Sequence, residues 1–415
     1  MRTLVAISGG VDSAVAAARL VAAGEDVVGV HLRTGVESDG EAAGGARSCC
    51  GADDARDARA VAALLDIPFY VVDVQESFAG IIDAFVAEYA AGRTPIPCVA
   101  CNTDVKFGRL LEIARGLGAE TVATGHYART ALGADGRWRL LRAADERKDQ
   151  TYMLHQLSQA QLAAARFPLG DVQKDEVRDE ARAMGFAVAD KPDSQELCFI
   201  SSAGHKAFLA ERAPEDVVPG TFTDHEGREV GTHEGALGFT IGQRKGLPAV
   251  GEPRYVKRVD PGAGRVEIAP RSALLETTCT VSGVNWIDSP EPPIGTRFQA
   301  QVRHRHAVPL RPAEVEILGS GRMRVRYPEA VFALTPGQAL VVYASDDTGA
   351  DAREATGTHA GGSTLCGGTI ATVGEGTGDS SPARETHAPK GAAAGASDSA
   401  SRPQASDPTE GKSTT

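Results

Sequence analysis

The six residues Ser8-Gly9-Gly10-Val11-Asp12-Ser13 constrain this chain more than any other stretch. They close an apolar, β-rich run, "TLVAIS", and lead into "DSAVAAARLVAAG", which is apolar at helical spacing and ends at Gly24. A turn between strand and helix aims backbone N–H groups and the positive end of the helix at whatever anion sits there. Gly9 and Gly10 let the backbone approach a phosphate, Ser8 and Ser13 offer hydroxyls, and Asp12 can hold a magnesium ion. The lysine of a Walker A loop is missing. A bare S-G-G is often only a tight turn, but the whole hexapeptide in this setting reads as a nucleotide site.

Strand and helix patterns continue to alternate through "DVVGVHL", "DDARDARAVAALLDI", "PFYVVDV", "FAGIIDAFVAEYAAGR", "KFGRLLEIARGLG" and "AETVATG". Strands separated by helices of this length imply a doubly wound parallel sheet, so the fold class is α/β. Residues 155–190 look helical. After about residue 206 the texture changes to short β-type runs with Gly and Pro turns, among them "GRVEIAP", "FQAQVRHR", "RMRVRYPE" and "QALVVYA". These predict a small β domain and a β-barrel. The expected division is 1–205 for the nucleotide-binding and catalytic domain, 206–275 for the central β domain and 276–373 for the barrel. The Ala/Gly/Ser/Thr-rich stretches 346–362 and 374–415 are expected to be a disordered insertion and a disordered tail, with "STLCGGTIATV" between them a last strand.

The seven cysteines, at 49, 50, 98, 101, 198, 279 and 366, are odd in number and sparse, which points to reduced thiols in the cytoplasm. The start of the chain lacks a signal peptide's apolar core, and no apolar run reaches the roughly 18 residues of a membrane span. Cys98 and Cys101 lie three apart in "TPIPCVACNTDVKF". Half a zinc site, a redox pair and a nucleophile with a neighbour all fit a C-x-x-C. Zinc would need a second pair at metal spacing, and none is evident. Pro95 and Pro97 read as stiffening a loop that presents the thiol. Cys279 and Cys366, in β-type runs, read as small buried apolar residues, and the 49–50 pair as structural.

With its later motifs added, the chain resembles the bacterial tRNA-specific 2-thiouridylases, and its turn resembles the PP-loop of the ATP pyrophosphatase superfamily. The segments that carry the resemblance are "AISGGVDSAVAA", "AGRTPIPCVACNTDVKFGRLL", "ATGHYAR", "KDQTYML", "DSQELCFI", "TIGQRKGL" and "TPGQ". The resemblance implies ATP-dependent activation of the C2 oxygen of a wobble uridine as an adenylate, then replacement of that oxygen by persulfide sulfur. Cys101, before Asn102, matches the nucleophile, and Cys198 matches the persulfide carrier, the two joining in a transient disulfide. Ala6, Ile7, Ser8, Gly9, Gly10, Val11, Asp12, Ser13, Leu32 and Gly125 match ATP-binding positions, with Mg²⁺ on Asp12. Ile96, Pro97 and Cys98 match the target-base site. His126, Lys148, Asp149, Gln150, Arg305, His306 and Gln338 match tRNA-facing positions. The implied partners are tRNA and an upstream persulfide donor, either a cysteine desulfurase or a sulfur relay protein.

Many members of the family carry aspartate where this chain has Cys98. Cys98, Cys101 and Cys198 together resemble the three-cysteine sites of other tRNA thiolases that hold a [4Fe–4S] cluster, the alternative to a persulfide–disulfide route. The chemistry asks for two thiols on its own account. Adenylation turns a carbonyl oxygen into a leaving group, and a persulfide delivers its sulfur only if a second thiol releases it. A PP-loop ligase or amidating synthetase is the rival enzyme class, but it has no use for two cysteines. An RNA-binding module or sulfur carrier without catalysis would not need an intact "SGGVDS".

The formal charge of −12 discourages RNA binding. From Asp346 onward, however, ten acids face five Lys or Arg, which puts −5 there and −7 on the rest. Basic runs survive in "RYVKR", "RHRH" and "RMRVR", and RNA contact is expected there.

Overall fold

The computed structural model describes residues 1–35, 52–193, 197–200, 203–345 and 362–374. The 49–50 cysteine pair, nearly all of the expected insertion and the tail beyond Gly374 lie outside the described residues.

Three short apolar runs build the first sheet: β1 (Arg2–Ala6), β2 (Asp26–Arg33) and β3 (Phe69–Asp73). Helices α1 (Val11–Ala22) and α2 (Ala52–Leu64) separate them. The chain continues through α3 (Gln75–Ala90), α4 (Pro97–Ala100), a π-helix (Cys101–Arg109) and α5 (Leu110–Gly116) to β4 (Thr121–Ala123). A hairpin of β5 (Arg129–Leu132) and β6 (Trp138–Leu141) precedes α6 (Thr151–Leu154), α7 (Gln159–Ala164) and β7 (Ala165–Arg166). The sheet order is β3-β2-β1-β4-β7, and every pairing is parallel. Because such a sheet is covered on both faces, β1 and β2 read as unbroken apolar runs, and Leu4, Val5, Val28 and Val30 are all buried.

The second half is β-rich, as expected. After α8 (Lys174–Ala183) and α9 (Gly204–Arg212), four strands form a small sheet: β8 (Gly220–Thr223), β9 (Glu229–His233), β10 (Tyr255–Asp260) and β11 (Arg265–Ala269). The next six close an antiparallel barrel: β12 (Leu275–Trp286), β13 (Arg297–Arg303), β14 (Arg311–Gly319), β15 (Arg322–Phe332), β16 (Ala339–Tyr343) and β17 (Thr364–Val373). Period-two alternation sends Val315, Ile317, Met323, Val325, Val342 and Ile370 into its interior. Cys279 and Cys366 lie in that interior, and burial pushes the Cys279 thiol up to about 12.

The barrel braces the segment that carries the cysteine pair. Gln338 Nε2 donates to the Thr94 carbonyl at 2.9 Å, and the Thr94 N–H donates to Pro336 O at 3.0 Å. Tyr152 OH donates to Ala339 O at 2.9 Å. Here the structure corrects the sequence reading, because Cys98 and Cys101 sit on helix and not in a loop. Pro97 occupies the first turn of α4, where its missing N–H costs nothing and its fixed φ favours a helical start.

Candidate active site

Two cavities share a wall at the carboxyl ends of the parallel strands. The first, about 260 Å³, lies over the Ser8–Ser13 turn. Ser8 N–H donates to Ser13 Oγ at 3.1 Å, and Ser13 Oγ donates to Gly10 O at 3.0 Å, so the turn is preorganised. Gly9 has φ of +81°, and a Cβ there would lie 2.4 Å from Asp54 O. Gly125, two residues beyond β4, packs so closely on α1 that a Cβ would meet Ser13 N at 2.7 Å. Ala6, Ile7, Ser8, Asp12, Ser13, Leu32 and Gly125 line this cavity. Val11, expected at the nucleotide, turns its side chain into the core, so only its backbone can serve the site.

Asp12 Oδ1 accepts from Lys174 Nζ at 2.6 Å and from Tyr127 OH at 2.8 Å. Asp12 is the one carboxylate lining the cavity among the described residues, none of which form a group of three or more possible metal ligands. That donor set suits a Mg²⁺ carried mainly by a nucleotide's phosphates, since Mg²⁺ keeps its water readily. Among the described residues no group of three or more His, Cys, Asp or Glu, the cysteines Cys98, Cys101 and Cys198 included, is placed to hold a metal ion.

The second cavity, about 700 Å³, is lined by all three of those cysteines. Phe78, Phe85, Tyr89 and Phe199 make its apolar side, and His306 reaches it from the barrel, its ring 5.9 Å from Tyr152. The π-helix explains how one element supplies so much of the lining. Its wider turn brings Cys101, Asn102, Val105 and Lys106 onto the same face, and such segments are frequent at functional sites. Pro97 lines the cavity, whereas Ile96 packs beside Tyr152 and the barrel strand β16.

Leu32, Lys106, His126 and Gln150 line both cavities. His126 Nδ1 donates to Gln150 Oε1 at 3.1 Å, an oxygen that also accepts the Tyr127 N–H at 2.9 Å. Its Nε2 accepts from Lys106 Nζ at 3.3 Å and lies 3.0 Å from Asn102 Oδ1. Burial and then the Lys106 charge pull His126 down to about 3, against the Gln150 bond, so the ring is neutral.

Other expected tRNA-facing residues are placed differently. Asp149 is only 3% exposed, accepts from Thr151 Oγ1 and pairs with Arg303 at 3.3 Å. Its side chain therefore organises the interior through a partner on a distant strand. Arg305 is half-buried and spends Nη2 on Ile241 O, Ala333 O and Thr335 Oγ1, and Gln338 is the brace on Thr94. Lys148 is part-exposed and pairs with Asp193 at 2.8 Å.

Sequence reasoning missed Lys106, Lys174, Asp193 and His31. Lys106 and Asp193 stand inside quoted motifs without a role, and Lys174 lies in a stretch read only as helical. Although burial opposes it, hydrogen bonds from Lys148 and Lys174 hold the Asp193 carboxyl down at about 2. His31, 2% exposed at the nucleotide cavity, donates through Nδ1 to Ile7 O at 3.0 Å, and its Nε2 has no partner.

Comparisons with known proteins agree on one family. Three family models match in succession: a tRNA methyl transferase HUP domain at residues 1–202, a tRNA methyl transferase PRC-barrel domain at 206–270 and an aminomethyltransferase beta-barrel domain at 276–348. The chain is 44% identical over 349 residues to the tRNA-specific 2-thiouridylase MnmA of Geotalea uraniireducens, an alignment covering 83% of this chain and 92% of that protein. It is 47% identical over 350 residues to the MnmA of Acidothermus cellulolyticus, covering 83% and 94%, and 46% identical over 355 residues to that of Streptomyces griseus, covering 83% and 92%. Among the described residues no helix is long and apolar enough to cross a membrane.

Proposed function

The chain belongs to the tRNA-specific 2-thiouridylase family, and from that premise we propose how its own residues divide the work. The reaction is ATP-dependent 2-thiolation of uridine in tRNA, a sulfur transfer. The domain models' descriptions speak of methyl and aminomethyl transfer. A methyl donor arrives already activated, however, and has no use for a turn that grips a triphosphate. The observation that carries our reading is the wall of Lys106 and His126, which has a nucleotide-sized turn on one side and three thiols on the other.

The target is the wobble uridine. Its C2 oxygen attacks the α-phosphorus of ATP at this wall, and pyrophosphate leaves. The Ser8–Ser13 turn and the start of α1 hold the phosphates. Lys106, facing both cavities, offsets the negative charge that builds on the transferred phosphoryl group. Mg²⁺, when bound, would be held by Asp12 and the phosphates and would neutralise charge on the leaving pyrophosphate. The terminal sulfur of a Cys198 persulfide then attacks C2, forming C–S as the bond to AMP breaks. Cys101 attacks the Cys198 sulfur, the S–S bond to the base breaks, and the base leaves as the 2-thio form with the electron pair. One sulfane sulfur is reduced, and two thiols become the Cys101–Cys198 disulfide. A cellular dithiol reopens that disulfide, and a persulfide donor reloads Cys198, as suits an enzyme of the reducing cytoplasm.

The test is reconstitution with reduced protein, a tRNA transcript, ATP and a small-molecule persulfide, followed by nucleoside mass spectrometry. The expected products are 2-thiouridine, AMP and pyrophosphate. Thiolation at the ordinary rate by Cys198→Ala would sink the carrier role.

A further inference from the structure

The sulfur-transfer route uses two of the three thiols that line the larger cavity and leaves Cys98, the first cysteine of the C-x-x-C, without a task. All three residues are half-buried there, and Cys101 has a separate tie to each of the others. Cys101 and Cys198 pack against one apolar cluster, built on Phe78, Phe85 and Phe199. Cys98 and Cys101 share a single helical turn. The Cys101 N–H donates to the Cys98 carbonyl as well as to that of Pro97, and the backbone stays helical through Ala100 (φ −60°, ψ −41°) and Cys101 (φ −58°, ψ −39°). The bond to Cys98 is of the tighter 3₁₀ kind, which brings side chains three residues apart into line. Helical neighbours at that spacing have Cβ atoms roughly 5–6 Å apart, and a disulfide needs about 3.5–4.5 Å. Cys98 is the second residue of α4, in the first turn, where the helical ladder restrains the chain least, so the closing movement is small and falls there.

We propose that Cys98 is the resolving thiol of the reaction: once the 2-thio base has formed, Cys98 attacks Cys101 and moves the disulfide from Cys101–Cys198 to Cys98–Cys101. The Cys98 thiolate forms its bond to Cys101 Sγ as the Cys101–Cys198 bond breaks, and Cys198 leaves with the electron pair. The proton lost by Cys98 is balanced by the one Cys198 takes up. One disulfide replaces another, so the exchange needs neither oxidant nor reductant. Two thiols fixed on one helical turn meet at a high effective concentration, which favours the local pair. Cys198 is thereby a thiol again and open to a persulfide donor, while the cellular dithiol reduces Cys98–Cys101. The proposal rests on the persulfide–disulfide reading above.

The experiment maps the disulfide left by one turnover. Full-length protein is reduced, loaded with a small-molecule persulfide and desalted in the absence of oxygen, and a tRNA transcript and ATP are added. Acid stops the reaction at intervals, and remaining thiols are capped with N-ethylmaleimide in denaturant. Peptide mass spectrometry then maps the disulfides against the 2-thiouridine formed. The expected result is a disulfide for each 2-thiouridine, found several-fold more often at Cys98–Cys101 than at Cys101–Cys198, with Cys198 capped. In Cys98→Ser the disulfide, counted per 2-thiouridine, should stop at Cys101–Cys198. A wild-type disulfide that stays at Cys101–Cys198, with Cys98 capped, overturns the proposal and leaves the sulfur-transfer reading standing. Equal amounts of Cys98–Cys101 with and without ATP would make that pair an oxidation product only, and also overturn it. If 2-thiouridine forms with no disulfide, or does not form, the persulfide–disulfide reading fails and takes the resolving role with it.

Discussion

Lys106 and His126 meet at the wall between the two cavities, with Nζ 3.3 Å from Nε2. They reach that point from opposite directions, Lys106 from the π-helix that begins with Cys101 and His126 from just beyond β4. The neutral ring accepts a hydrogen bond from the ammonium and keeps it facing both chambers, while Gln150 Oε1 fixes the ring by accepting from Nδ1. A cation held this way costs no reorganisation when charge develops on a phosphoryl group.

Lys106→Met is therefore expected to lower ATP–pyrophosphate exchange in the presence of tRNA on the order of 100-fold, the usual loss for one such donor. Nucleotide affinity should fall much less, and Lys106→Arg should recover part of the rate. A variant with normal exchange and poor nucleotide binding would make Lys106 a binding residue only.

On the proposed route the two cysteines act after activation. Cys101→Ser and Cys198→Ser should each abolish thiolation and leave ATP binding nearly unchanged, because neither lines the nucleotide cavity. Single-turnover reactions should still release pyrophosphate. If either variant keeps more than a trace of 2-thiouridine formation, that thiol has no part in sulfur transfer.

Much of this was readable in the sequence, for identifiable reasons. The SGGVDS turn, the apolar β1 and β2 and the alternating barrel strands are local patterns that survive into the fold with little help from distant residues. Other features depend on partners far along the chain. Asp149 looks like a solvated cap until Arg303, 154 residues away, closes on it. Three oxygens from distant parts of the fold accept from Arg305 Nη2, contacts that its neighbours in sequence do not announce. The helical setting of Cys98 and Cys101 was hidden because Pro95 and Pro97 signal a loop and a helix start equally well.

The buried pair gives its own test. Asp149→Ala leaves the Arg303 guanidinium, 7% exposed, without its carboxylate, and stability should fall by about 3–5 kcal/mol. Thermal unfolding measures this directly. A variant with unchanged melting temperature and weakened tRNA binding would instead return Asp149 to the RNA surface.

Three histidines make the fold acid-sensitive. Burial, with nearby positive charge in two cases, lowers His126 to about 3 and both His155 and His304 to about 4, from an ordinary 6.5. Between those values and 6.5 the unfolded chain binds protons that the folded chain does not, so folded stability falls as pH drops. Their contribution is complete above about 6.5 and should shrink steadily towards pH 4. Melting temperatures across that range, compared with those of His155→Gln, check the slope. A flat profile would mean that the three rings protonate in the folded state.

The final expectation concerns the strand that closes the barrel. β17 pairs with β12 on one side and β16 on the other, and Leu365, Cys366 and Ile370 lie in the barrel core. Ending the chain at Ala344 removes this strand, unpairs two strand edges and exposes the core they enclosed. The lost burial of Leu365 and Ile370 alone is worth roughly 1.5–3 kcal/mol each. Added to the lost ladder, that is a large share of the 5–15 kcal/mol typical of a whole domain. Because Thr94 and Tyr152 lean on β16 and the residues just before it, the damage should reach the cysteine cavity. A chain ending at Gly374 keeps β17 and drops only sequence poor in apolar residues, so it should melt with the full-length protein. Urea unfolding of the two truncations separates the cases: the longer one should match the full chain, and the shorter one should lose its cooperative transition. Equal stability of both would show that the barrel does not need its sixth strand.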